Sequence, residues 1–261
     1  MKTRLGCIGF GQMGGAILKG LVSAGVFRPE EILVGVHSET TKKRAEELGY
    51  VARSNGEVAR EAEVLLLAVK PYQVKEVLAE ISQELANTLV ISVAAGISGK
   101  DLEELLPEDV HGISTMPNIP MEVGRGILIC DPDSQATEEE WGLLLEIFSP
   151  IASVLSLEEK SRGAAGVLTG CGPAFVGLFV EALADAAVKY GVPRRDALLL
   201  AAKMVEGSAA LIAEGTHPAL LKDAVCSPGG TTIRGVEALE QGGLRASVYD
   251  AFFAILERSS R

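Results

Sequence analysis

The sequence predicts an α/β protein, with a doubly wound, mostly parallel Rossmann sheet followed by an all-helical part. Three observations lead there. Up to about residue 157, short apolar runs alternate with helix-patterned segments, the rhythm of a parallel sheet. The first run ends in a G-x-G-x-x-G string that opens a helix. Beyond Glu158 the strand-like runs stop and long Ala- and Leu-rich stretches replace them. The expected division is therefore a dinucleotide-binding domain over residues 1–157 and a helical dimerisation and substrate-binding domain over 158–261.

The candidate strands are Leu5–Ile8, Ile32–Val36, Val64–Val69, Leu89–Val93 and His111–Ser114, with helices over Thr40–Leu48 and Gln73–Leu85 between them. Ligands of such sheets lie at the carboxyl ends of the strands, so the turn after each strand is a candidate site. After the first strand come Gly9, Gly11, Gln12, Met13 and Gly14. Gly9 permits the tight turn, Gly11 lets a pyrophosphate approach the backbone, and Gly14 lets the helix sit close to the strand. Later turns offer His37 and Ser38, then Ala68, Val69, Lys70 and Pro71, then Ala94, Ala95 and Gly96, and finally Met116, Pro117 and Asn118; Asn55 joins this cofactor set.

NAD-specific proteins usually place an acid after the second strand, to hold the ribose 2′-hydroxyl. Here that place reads Val36-His37-Ser38-Glu39, with Lys42, Lys43 and Arg44 one turn on. Absence of the acid favours NADPH, although Glu39 and the habit of charge runs to be solvated keep NADH open.

In the second half, helices are expected over Pro173–Tyr190, Arg195–Glu214, Thr232–Glu240 and Leu244–Ser259. Their apolar faces are too extensive for one small domain to bury, which predicts a homo-oligomer. Between them, Val225–Glu240 reads VCSPGGTTIRGVEALE. Gly229 and Gly230 let successive N–H groups point one way, Ser227, Thr231 and Thr232 add hydroxyls, and the following helix start adds partial positive charge. A small anion such as a carboxylate suits that loop. Taken alone, most such strings are a Gly-rich turn before an ordinary N-capped helix.

A net charge of −11 argues against nucleic acid and anionic membrane surfaces, and means that an anionic ligand needs local donors. Mean hydropathy is +0.27, yet runs such as Val64–Val69 are too short to span a bilayer. No membrane association and no secretory leader are expected, which makes the cytoplasm the expected compartment. The four cysteines form no C-x-x-C, and the three histidines have no metal-ligand or triad context, so no metal is expected.

With both ends read, the whole chain resembles the pyrroline-5-carboxylate reductase family. The matching segments are IGFGQMGGAI, AVKP, SVAAGIS, MPNIP, GCGPAF with EALADAAVKYG, and VCSPGGTTIRGVEALE, in the family's order. The resemblance implies NAD(P)H-dependent reduction of the C=N bond of 1-pyrroline-5-carboxylate, and a dimer or a ring of dimers such as a decamer. Ser227, Gly229, Gly230, Thr231 and Thr232 would hold the substrate carboxylate, with Asn118 and Thr169 nearby. A protonated imine accepts hydride readily, so no acid–base residue is assigned.

The chain also departs from the family. Ser114 stands where arginine is common, Gly166 where many members carry threonine, and Cys171 and Phe175 replace a usual serine and tyrosine. Those changes leave open a paralogue for another cyclic imine, or a non-catalytic NADP-binding relative. A β-hydroxyacid dehydrogenase is disfavoured, because no lysine follows Gly170-Cys171-Gly172 until Lys189.

Overall fold

Central strands of a parallel sheet are covered on both faces, and their sequences are therefore apolar throughout. LGCI, ILVG and VLLL are such strings, and every residue in them is buried. In the computed structural model, which describes residues 4–257, the strands are β1 (Leu5–Ile8), β2 (Ile32–Gly35), β3 (Val51–Arg53), β4 (Val64–Leu67), β5 (Leu89–Ser92), β6 (Gly112–Pro117), β7 (Gly126–Cys130) and β8 (Ala152–Ser156). They form one sheet in the order β3-β2-β1-β4-β5-β6-β7-β8, parallel except where β7 runs antiparallel to β6. Strand order reverses between β1 and β4, where Leu5 to Ile8 pair with Ile32 to Gly35 on one side and Val64 to Leu67 on the other.

The first unit carries the helices α1 (Gln12–Ser23), α2 (Glu39–Glu47), α3 (Asn55–Glu61), α4 (Val74–Ile81), α5 (Gly99–Glu103), α6 (Glu138–Phe148) and α7 (Glu159–Gly166). Alternation along the strands separates two cores. Leu5, Cys7, Val64 and Leu66 pack with Ile17, Leu18 and Leu21 of α1 and with Leu144 and Phe148 of α6. Ile8, Leu65 and Leu67 pack instead with Val58 of α3 and with Val74, Val77, Leu78 and Ile81 of α4. That last set has i, i+3, i+4, i+7 spacing, and α4 stops at Ile81, short of the expected Leu85.

The expected strands are all present, while β3, β7 and β8 were not anticipated. β3 is three residues long and none of them is buried. β6 also continues past the expected Ser114, because it changes partner. Gly112 to Ser114 pair with β5, and Thr115 to Pro117 pair with β7.

The chain passes from one compact unit to the next between Gly170 and Cys171. A π-helical turn, Val167–Cys171, lies at that junction. The second unit holds α8 (Gly172–Lys189), α9 (Arg194–Ala213), α10 (Pro218–Val225), α11 (Thr231–Gln241) and α12 (Leu244–Leu256); the end of the expected Leu244–Ser259 helix lies outside the described residues. Leu178, Leu199, Leu200, Tyr249 and Phe253 of these helices are exposed in the single chain. By length and composition the stretch Glu159–Lys189 could also cross a membrane, a test that apolar interface helices pass as well.

One cap gives a measurable pH dependence. Glu140 Oε2 accepts hydrogen bonds from Thr137 N (2.7 Å), Thr137 Oγ1 (3.0 Å) and His111 Nδ1 (2.7 Å). Burial pushes this carboxyl up, but the Thr137 and His111 hydrogen bonds outweigh it and hold the group below its ordinary value of 4.5. A depressed carboxyl stabilises the fold above its unfolded value and loses that contribution as pH falls through the folded one. Glu140→Gln is expected to cost about 1 kcal/mol at neutral pH and to flatten the loss of stability below pH 4.5, read by urea unfolding across pH.

Candidate active site: a dinucleotide cleft and an anion loop

At the β1/β4 reversal the turn after β1 lies against the backbone after β4. Gly9 has φ +102, and a Cβ there would stand 2.4 Å from the Ala68 carbonyl carbon. A Cβ at Gly14 would stand 2.3 Å from the Gly9 carbonyl oxygen, so α1 begins hard against the turn. Gly11 differs: nothing lies within 4 Å of its would-be Cβ. It is also the N-cap of α1 and supplies no side-chain cap, so the first N–H groups of that helix face open space.

That space belongs to a cleft of about 630 Å³ across the carboxyl ends of β1, β2, β4 and β5. Of the residues expected from sequence, Gly9, Gly11, Gln12, Met13, His37, Ala68, Val69, Lys70, Pro71, Ala94 and Ala95 line it. Phe10, Thr41, Gln73, Val77, Val93 and Ile119 line it as well and were not anticipated. For Val93 and Thr41 a signal existed, since each adjoins a turn already singled out. Val77 and Ile119 carried none, being apolar residues indistinguishable from core.

Ser38 accepts from Thr41 N (3.2 Å) as the N-cap of α2, and its hydroxyl lies 3.0 Å from that of Thr41. Of the three basic residues after β2, Arg44 is the one turned toward the glycine turn. Its guanidinium stands 4.6 Å above the Phe10 ring and donates to the Phe10 carbonyl at 3.4 Å. Asn55 is buried beneath His37, and its Nδ2 donates to His37 Nε2 at 2.8 Å. A ring accepting there carries its proton on Nδ1. Asn55 Oδ1 has no hydrogen-bond partner and lies against Gly35, which lines the cleft.

The expected Met116-Pro117-Asn118 contact with the cofactor lies outside the wall of this cleft. None of the three lines the cleft; Ile119 does. Met116 and Pro117 pair within the sheet to Ile129 and Leu128. Asn118 Oδ1 accepts from Ile127 N (2.8 Å), and its Nδ2 donates to the Thr169 carbonyl (3.1 Å). The amide therefore ties the π-helical turn to the end of β6. Thr169 donates its own hydroxyl to Ala165 O at 2.9 Å. Gly166 also has a physical reason, because a Cβ there would stand 2.5 Å from Met116 Sδ. Gly96 is exposed in the turn after β5, with φ +77, and Gly14 sits beneath the cleft rather than in its wall.

In the second unit, Gly230 N donates to Ser227 O (3.0 Å), closing the turn, and Gly229 has φ +70. Gly230 is the N-cap of α11 without a side-chain cap, so the N–H groups of Thr231 and Thr232 have no intrahelical acceptor. Ser227, Gly229, Gly230, Thr231 and Thr232 thus stand in one largely exposed loop at a helix start whose first N–H groups lack intrahelical acceptors.

A doubly wound sheet, a glycine turn at its reversal and an uncapped helix above it define a nicotinamide-dinucleotide oxidoreductase fold. Comparison with known proteins narrows the class. Residues 159–261 match the model of pyrroline-5-carboxylate reductase dimerisation, and residues 4–96 that of NADP oxidoreductase, coenzyme F420-dependent. The pyrroline-5-carboxylate reductase of Treponema pallidum is 42% identical over 98% of this chain and 99% of its own length. That of Arabidopsis thaliana is 40% identical over 98% of this chain and 94% of its own. Among solved structures, the NADP-bound pyrroline carboxylate reductase of Plasmodium falciparum matches with TM-score 0.84 and 32% identity, covering 98% of this chain and 97% of its own. A Coxiella burnetii pyrroline-5-carboxylate reductase matches with TM-score 0.86 and 31% identity, covering 100% and 98%. The chain belongs to the pyrroline-5-carboxylate reductase family. A 3-hydroxyisobutyrate dehydrogenase shares only the fold, at 18% identity and TM-score 0.51.

Gly11 offers a clean separation of folding from binding. Gly11→Ala meets no protein atom, so its melting temperature should stay within about 2 °C of the parent. Its methyl group occupies the approach to the α1 N-terminus, and NADPH affinity by calorimetric titration should fall by about tenfold or more.

Proposed function

We propose that this chain reduces the C=N bond of 1-pyrroline-5-carboxylate to L-proline with NADPH as hydride donor. The observation that carries the reading is the uncapped α11 N-terminus behind Ser227-Pro228-Gly229-Gly230, in a chain that also holds a dinucleotide cleft. The protein is acidic overall, so donors gathered at one loop mark where an anionic substrate is received. Ser227, Thr231 and Thr232 would bind the carboxylate through hydroxyls and backbone N–H groups and so orient the ring.

The cleft suits a dinucleotide on three counts. The Gly11 face is open, the α1 N–H groups are free, and a buried amide oxygen of Asn55 lacks a partner beside it. Gly9 to Gly14 would carry the pyrophosphate, and Ala68 to Pro71 with Ala94 to Gly96 would frame the nicotinamide end. For the 2′-phosphate the donors are Ser38, Thr41 and Arg44, with no acid at positions 37 or 38. NADPH, when bound, supplies the hydride. That hydride ends on the imine carbon and a proton on the nitrogen. The residues described bind and orient, and none is assigned as general acid or base.

The exposed apolar faces of the helical unit and the matched dimerisation model support a homodimer, or a ring of dimers such as a decamer. A monomer mass in light scattering at micromolar concentration would refute it. Domain function would divide at 157/158, just before the matched dimerisation segment at 159. Four free cysteines, with the buried thiols of Cys7 and Cys130 pushed up to about 12, fit a reducing compartment such as the cytoplasm.

The test is loss of absorbance at 340 nm with pyrroline-5-carboxylate and either NADPH or NADH, with proline identified as product. Turnover with NADPH preferred is expected; NADPH binding without turnover would favour a non-catalytic relative or another cyclic imine. Thr232→Ala should lower kcat/KM for the imine by about 1.5–3 kcal/mol, mainly through KM. Arg44→Ala should reduce the preference for NADPH over NADH by about tenfold, with the NADH reaction little changed.

A further inference from the structure

Asp131, at the end of β7, is 3% exposed, yet the dinucleotide and anion sites do not use it. Its Oδ2 accepts from Gly99 N at 2.8 Å, the first residue of α5, and its Oδ1 accepts from Asp133 N at 3.0 Å. Oδ1 also pairs with Arg162 of α7, whose side chain is 14% exposed. One buried carboxylate therefore joins three segments: the end of the turn after β5, the β7 end and α7.

The first of these segments adjoins the proposed nicotinamide end of the cleft, where Ala94 and Ala95 line the wall. The turn Ala94–Ser98 is held at its start by Ala94 N to Ser92 Oγ (3.3 Å), and near its end by the Ser114 hydroxyl on the Ile97 carbonyl. Gly99 completes the anchoring through Asp131, with the Asp133 carbonyl oxygen so close that a Cβ at Gly99 would stand 2.0 Å from it. α7 leads directly into the π-helical turn, which Asn118 grips at Thr169. Arg162 is the charged tie of that helix to the sheet.

We infer that the Arg162–Asp131 ion pair is a positioning device, which fixes the turn 94–99 and the turn 167–171 in one register for hydride transfer. The inference rests on the reductase reading. Arg162 pairs at the end of β7, which β4, β5 and β6 separate from the glycine turn after β1, where most of the cofactor's charge would bind. Its loss should therefore disturb geometry at the reacting end while leaving cofactor affinity intact. A merely structural ion pair would lower stability without that separation.

The experiment compares Arg162→Met, Arg162→Lys and Asp131→Asn with the parent, at saturating NADPH and pyrroline-5-carboxylate. Three readouts are taken: kcat, the NADPH dissociation constant by calorimetry, and amide exchange of the peptide 94–103 without cofactor. For Arg162→Met and Asp131→Asn, kcat should fall by about tenfold or more, because small misplacements are costly at the reacting centre. NADPH affinity should stay within about twofold and exchange at 94–103 should rise. Arg162→Lys should recover most of kcat. A kcat within about twofold of the parent in both neutral variants would overturn the inference, as would equal losses in affinity and kcat. If Arg162→Met does not fold, Asp131→Asn decides by the same criteria. A parent protein that binds NADPH and turns over no imine would refute the reductase reading instead, and unchanged exchange at 94–103 would still reject the positioning role.

Discussion

The approach of the Gly9 backbone to Ala68 and Val69 is the constraint on which the cofactor cleft depends. Two parallel strands diverge at β1/β4, and their following segments can enclose a crevice only if the first turn lies flat against the second. At a would-be separation of 2.4 Å from backbone, no side chain is tolerated at Gly9. The same turn aims α1, and Gly14 lets that helix start against the Gly9 carbonyl. Because Gly11 caps the helix without a side chain, the partial charge of its N-terminus stays available to a phosphate.

Beyond the glycine turn, the polar groups divide between holding the scaffold and facing the ligand. Asn118, Thr169, Asp131 and Ser114 are all buried and direct hydrogen bonds within the protein. Among the helix starts without a side-chain cap, those of α1 and α11 follow the two glycine loops that the ligand reading uses. In a chain of net charge −11, that allocation would let a cofactor with a pyrophosphate and a 2′-phosphate, and an anionic substrate, be received at all. The anchored set holds the turn after β5, the end of β6 and α7, while the helix dipoles supply the attraction at the two helix starts.

Much of this was legible in the sequence because single residue types carry strong local meaning. Glycines at 9, 11 and 14 after an apolar run, and at 229 and 230 before threonines, announce backbone geometry directly. Apolar strands buried on both faces announce themselves by composition, as β1, β2 and β4 do. β3, β7 and β8 lack that signature: β3 has no buried residue, and β8 carries two serines and one buried residue. Their pairing depends on partners distant in sequence, which periodicity does not report. The same holds within the site. An amide after proline, as at Asn118, can face either way, and only the positions of Ile127 N and the Thr169 carbonyl show its partners within the protein. The Arg162–Asp131 pair spans 31 positions and left no local trace.

Hydrogen exchange on addition of NADPH tests the placement of the cofactor most directly. Protection of amides at residues 9–14, 68–71 and 93–96, with little change in β7 and β8, is the result expected from a dinucleotide seated at the β1/β4 reversal. Saturating NADPH that leaves the 9–14 segment unprotected would contradict it, and with it the role given to the glycine turn.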